Sequence, residues 1–166
     1  MEYLQSIVSP EVYWSLLLII HGLISVTLIG ALSHQAFSLL KNASPKKNNI
    51  VARYGAVQGS IYTSTVCILW IITFLFGGWI YARYRIAIRI PMEQQGIWLT
   101  QGFFELKEHL VTLGFFLLPS YYALWKFDPD NEFLFAKKYL TLTLTFLCWY
   151  SFLVGHIVNN VRGFGS

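Results

Sequence analysis

Tyr13–Leu40 reads YWSLLLIIHGLISVTLIGALSHQAFSLL and contains no Asp, Glu, Lys or Arg. The hydrocarbon core of a bilayer is crossed by about 20 consecutive, mostly apolar helical residues. This stretch exceeds that length without one formal charge, so it reads as a membrane span. The reading sets the class of the whole chain, because three further windows behave in the same way. Gly55–Ala82 is also free of Asp, Glu, Lys and Arg. His109–Trp125 is lengthened on its N-terminal side by the uncharged Gln94–Phe104, and Tyr139–Val161 makes the last window.

Composition agrees with the pattern. The chain has 166 residues, of which 55% are hydrophobic and only 12% charged. Ordinary soluble domains carry about 25% charged residues. The expectation is an all-α fold: a four-helix transmembrane bundle in one integral-membrane domain, 1–166, with spans near 13–40, 57–82, 98–125 and 139–161. Short connections make successive helices antiparallel neighbours. The first span lacks a positive n-region and is longer than an h-region, so it is not read as a signal peptide.

Orientation follows from lysine and arginine in the short loops. Lys41, Lys46, Lys47 and Arg53 lie in the first loop, and Lys126, Lys137 and Lys138 in the third. On the other side are Arg83, Arg85 and Arg89 in the second loop and Arg162 after the fourth span. Seven against four favours both termini on the outer, periplasmic side of a bacterial inner membrane. The three arginines on the disfavoured side hint at a partner there.

Local patterns fill in the connections. Trp79, Tyr81, Tyr84 and Trp98 form an interfacial aromatic belt. Tyr84–Pro91 (YRIAIRIP) alternates and is rich in isoleucine, which predicts an extended segment across the outer face. Pro119 predicts a kink in the third span. FDPDNEF, Phe127–Phe133, reads as a turn whose acids balance nearby lysines. Cys67 and Cys148 suit no metal motif and read as small buried hydrophobes.

Four histidines, His21, His34, His109 and His156, fall inside or at the edge of spans. Ionisable groups at membrane depth are expensive and mark functional sites by default. At 1.5 Å per helical residue His21 lies about 13 Å and His156 about 9 Å from the outer boundary. His109 belongs to the same leaflet, and His34 lies near the opposite side. His21 and His34 are separated by roughly 220° around the helix, so the first span does not offer two stacked ligands on one face.

In span number, and in histidines on the first, third and fourth spans, the chain resembles small four-helix membrane b-type cytochromes. That resemblance implies haem b held by two imidazoles, with potential set by burial and hydrogen bonding. His156 with either His21 or His109 would supply the axial pair. Arg83, Arg85, Arg89 and Arg162 lie at the same membrane face, where guanidinium forks suit propionates. Gly22, Ser25 and Gly155 leave room for a flat ring.

The charged stretch FELKEHLVTLG, Phe104–Gly114, opens the third span. Glu105 and His109 are four apart and share a helix face, so the carboxylate is placed to fix the imidazole tautomer. Lys107 and Glu108 read as the wet end of the helix, with Lys107 snorkelling to headgroups. A different use of the same residues gives a metal set of His21, His109, His156 and Glu105, suited to iron, copper or zinc. Plain helix–helix ties by the histidines stand beside both readings.

Nucleic-acid binding is excluded as a class. The net charge of +4 comes from loop residues, and no basic stripe is interleaved with exposed aromatics. No phosphate-binding loop or nucleophile elbow is present. The functional expectation is a membrane electron-transfer protein in the lipid bilayer, a subunit of a quinol-linked respiratory complex. Its partners would be other membrane subunits and an outer-side redox protein, with a quinone as a second possible cofactor near His34. The alternatives are a non-catalytic assembly subunit and a membrane metal-binding protein.

Overall fold

The computed structural model describes residues 9–40, 50, 59–128 and 132–161. Helix α1 spans Pro10–Leu40. A 3-10 turn, Gly59–Ile61, leads into α2, Tyr62–Tyr84. A π-helical turn, Arg85–Arg89, runs on into the short α3, Ile90–Gln94. Two long helices follow, α4 at Trp98–Lys126 and α5 at Leu134–Val161. The described residues contain no strand.

Apolar side chains cover the outside as well as the inside. Leu16, Ile19, Leu23 and Val26 are exposed along α1, while Leu28, Leu32 and Ala36 are buried. Ile68, Ile71 and Leu75 are exposed on α2, and Phe146, Leu153 and Ile157 on α5. A soluble monomer rarely shows contiguous apolar surface on this scale. In lipid it is the favourable arrangement, because helices satisfy their own backbone hydrogen bonds.

Among the described residues, three helical stretches are long and apolar enough to cross a membrane: Pro10–Leu39, Gly59–Gln94 and Leu134–Val161. That is compatible with a multi-pass membrane protein. Here the structure is narrower than the expectation of four spans. Helix α4 has 29 residues, ample length, but Glu105, Lys107 and Glu108 dilute its apolar character.

Helix α1 packs against α2 and α5, and α4 packs against the same two. One core cluster is built from Leu28, Leu32, Val66, Trp70, Leu118, Tyr121, Leu144 and Leu147. A second, smaller one joins Tyr84, Ile88 and Met92 to Phe104, Val154 and Val158. Gly114 is required for the α2–α4 approach, since a Cβ there would collide with the Trp70 indole. Gly59 admits the Trp125 ring in the same way.

Buried polar bonds tie the helices at the end where α1 finishes and α2 begins. Gln35 Nε2 donates to the Gly59 carbonyl at 2.7 Å and to Thr63 Oγ1 at 3.4 Å. The Tyr121 hydroxyl donates to Gln35 Oε1. Trp125 Nε1 donates to Thr141 Oγ1 at 3.0 Å, joining α4 to α5. At the surface, Trp149 Nε1 donates to Ser33 Oγ at 3.0 Å, joining α5 to α1. Lys137 and Asp128 form a buried ion pair at 3.2 Å. The Asp128 carboxylate also accepts the Glu132 and Phe133 amides, at 2.8 and 3.3 Å, at the start of α5. This bears out the balancing of acid by lysine expected there; Pro129 and Asp130 lie outside the described residues.

Tyr84–Pro91 is helical, which corrects the extended reading. Ile80, Tyr84, Ile88 and Met92 are all buried, a four-residue period that the short isoleucine alternation concealed. Pro91 has no N–H to offer the Ala87 carbonyl. A π-turn bonds each amide to the carbonyl five residues back, so the Met92 amide can serve that carbonyl instead. The helix therefore widens before the proline and continues through it. Helix α4 likewise continues through Pro119.

Candidate functional site: a cavity between the helices

All four long helices line one cavity of about 420 Å³. Helix α1 contributes His21, Gly22 and Ser25, and α2 contributes Trp70, Thr73, Phe74, Gly77 and Tyr81. From α4 come Phe104, Lys107, Glu108 and Val111; from α5, Cys148, Ser151, Phe152, Gly155 and His156. The walls are mainly aromatic and aliphatic, with a few polar groups converging, as in most sites for small molecules and cofactors.

His21 reaches the cavity because α2 has a glycine opposite it. The imidazole Cε1 lies 3.3 Å from where a Gly77 Cβ would stand. Ser25 donates its hydroxyl proton to the His21 carbonyl at 2.8 Å, within α1. The imidazole itself is uncommitted: its Nδ1 is buried without a hydrogen-bond partner. Trp70 Nε1 and Thr73 Oγ1 are also buried and unpartnered, and both residues line the same cavity. Each unsatisfied buried group costs about 1–3 kcal/mol. Three around one cavity call for an explanation, and a ligand is one.

His156 borders the cavity from α5, with an exposed ring parallel to that of Phe152 and 6.4 Å from it. His21 and His156 thus border the same cavity, from α1 and α5. His109 does not: it is exposed, lies outside the cavity lining, and its Nδ1 is 2.7 Å from the Glu105 carbonyl. The expected carboxylate–imidazole contact within that pair is replaced by a backbone one. The Glu105 carboxylate instead meets Arg89 Nη2 at 3.0 Å and accepts from Gln101 Nε2 at 3.4 Å. Among the described residues, no three His, Cys, Asp or Glu side chains converge as a metal site. The set of His21, His109, His156 and Glu105 is therefore not assembled.

The arginines also stand apart. Arg89 is occupied by Glu93 at 2.7 Å and by Glu105. Arg83 and Arg85 are exposed, and neither they nor Arg89 line the cavity. Arg162 lies outside the described residues. The cation on the cavity wall is Lys107, read from sequence as a snorkelling residue. Its side chain is only 14% exposed, pairs with Glu108 at 2.8 Å and sits 4.3 Å above the Phe104 ring. Lys107, Glu108, Trp70, Thr73 and Gly77 were not singled out for this site by sequence. For Lys107 and Glu108 the one legible signal was charge inside an otherwise apolar window, which did not specify direction; Trp70, Thr73 and Gly77 gave none.

His34 lies in the other half of the molecule, buried, with its ring edge-on to Tyr62 of α2 at 5.1 Å. The cavity can enclose a planar apolar body, offer it an imidazole and place an ammonium beside an acidic substituent. No protein-family model, curated protein or solved structure matches this chain.

Proposed function

We propose that the chain is a membrane electron-transfer protein whose cavity would hold one b-type haem through His21 and His156. The observation that carries the reading is that a histidine from α1 and one from α5 both line a single cavity with aromatic walls. A rival account makes the histidines helix–helix ties. His34, edge-on to Tyr62 of α2, fits that account, whereas the described hydrogen bonds of His21 and His156 include none to a neighbouring helix and the His109 bond stays within α4.

A haem bound here supplies a one-electron couple tuned by ligand identity and burial. The chain's own contribution is a shaped, mainly apolar lining. Trp70, Phe74 and Phe104 would exclude water from a bound flat body, and the glycines at 22 and 155 face open space.

The proposed topology has four antiparallel spans and both termini on the outer side of a bacterial inner membrane. Early α1 meets late α2 at His21 and Gly77, while late α1 meets early α2 at Gln35 and Thr63. Helix α4 would serve as the remaining span because its central charges are compensated: Lys107 and Glu108 pair on the cavity wall, and Glu105 is paired with Arg89. A quinol-linked respiratory complex, with an outer-side acceptor, is the setting that suits such a site.

A reduced-minus-oxidised visible spectrum of the purified chain, expressed with ample haem supply, tests this directly. The expected result is a b-type band that is lost in His21→Ala and His156→Ala but kept in His34→Ala and His109→Ala. A wild-type chain without a band, or a band that survives both of the first two substitutions, overturns it.

A further inference from the structure

We infer that Lys107 is the seat for an acidic substituent of the cavity's ligand, and that Glu108 is the internal competitor for that ammonium. The inference rests on the haem reading and names the group that would hold a propionate. It departs from the arrangement the arginines suggest, since Arg89 is occupied by two carboxylates and Arg83 and Arg85 lie outside the lining.

Lys107 behaves unlike a lipid-facing lysine. A lysine near a helix end normally extends its stem to the headgroups. Here the side chain is mostly buried and lines the cavity. Residues 107 and 108 diverge by about 100° around the helix, so their 2.8 Å contact requires both side chains to bend toward one side. Both then line the cavity. An ammonium carries three donors, and Glu108 takes one in the described hydrogen bonds. The Phe104 ring, 4.3 Å from Nζ, supports the charge without using a donor. A ligand carboxylate arriving beside Lys107 therefore meets a desolvated cation with bonding capacity in hand. Charge-assisted bonds of this kind are the strong ones.

The experiment titrates the full chain, purified in detergent without haem, with haem and separately with haem dimethyl ester, whose acids are capped. Wild type is expected to bind the free acid about tenfold more tightly than the ester, the scale of one charge-assisted hydrogen bond. In Lys107→Met the preference falls to near unity, and Lys107→Arg restores it. Glu108→Gln enlarges the preference, because the competitor is removed while the ammonium stays. A Lys107→Met variant that keeps the full wild-type preference overturns the seat while leaving the haem reading intact. Wild-type chain that binds neither porphyrin overturns both.

Discussion

The two ends of the helix packing use the same residue types in opposite ways. At the end built around Gln35, Trp125 Nε1 donates to Thr141, and Thr141 and Thr145 donate to carbonyls one turn back on α5. At the end built around His21, Trp70 Nε1 and Thr73 Oγ1 are equally buried but have no hydrogen-bond partner. The ion pairs differ as well. Lys137 and Asp128 close on each other inside packed protein, whereas Lys107 and Glu108 meet on a cavity wall. Satisfied polar groups lock helices together; unsatisfied ones beside open space are suited to a guest. One end reads as scaffold and the other as site.

The largest effect that could break this contrast is expected at Asp128. Asp128→Ala leaves the Lys137 ammonium buried without its carboxylate and should destabilise by about 3–5 kcal/mol. Unfolding in mixed micelles, followed by circular dichroism, measures it. A loss below about 1 kcal/mol, the range of exposed pairs, would show that the pair is effectively solvated and that this end is not the rigid one.

Tyr121→Phe should cost less, because it removes one bond to Gln35 while the ring stays packed. Hydrogen bonds between membrane helices average about 0.6 kcal/mol, with a maximum near 1.7. The same unfolding assay should register a loss in that range, and a neutral result would remove the Gln35 knot from the scaffold.

Thr73→Val sharpens the comparison with the smallest loss. The hydroxyl has no partner to lose, so replacing it by a methyl should not destabilise and should recover up to about 1–3 kcal/mol, the cost of an unsatisfied buried group. Thr141→Val serves as the control, since that hydroxyl both accepts from Trp125 and donates to the Lys137 carbonyl. Equal losses in the two variants would erase the distinction between the ends.

Much of the architecture was legible in the sequence because lipid imposes a one-dimensional rule. A window such as Tyr13–Leu40 can cross a bilayer only as a helix, since every backbone polar group must be satisfied within the segment. The rule weakens where function intrudes. Glu105, Lys107 and Glu108 blur the apolar signal of α4, and eight residues around Tyr84–Pro91 are too few to separate a two-residue period from a four-residue one.

The site was legible only in part. The histidines were conspicuous by being ionisable in apolar surroundings, and composition alone raised His21, His34, His109 and His156 as candidates. Which of them meet depends on rotation and depth, quantities that involve two helices at once. Gly77 opposite His21, the retreat of His109 onto its own helix, the capture of Arg89 by Glu93 and Glu105, and the inward bend of Lys107 are all pairwise facts. Sequence by itself determined that the chain is helical and apolar enough for a membrane, because length and composition act along a single segment. Only the tertiary structure decided which polar groups face one another, because partner choice is set by packing between segments far apart in the chain.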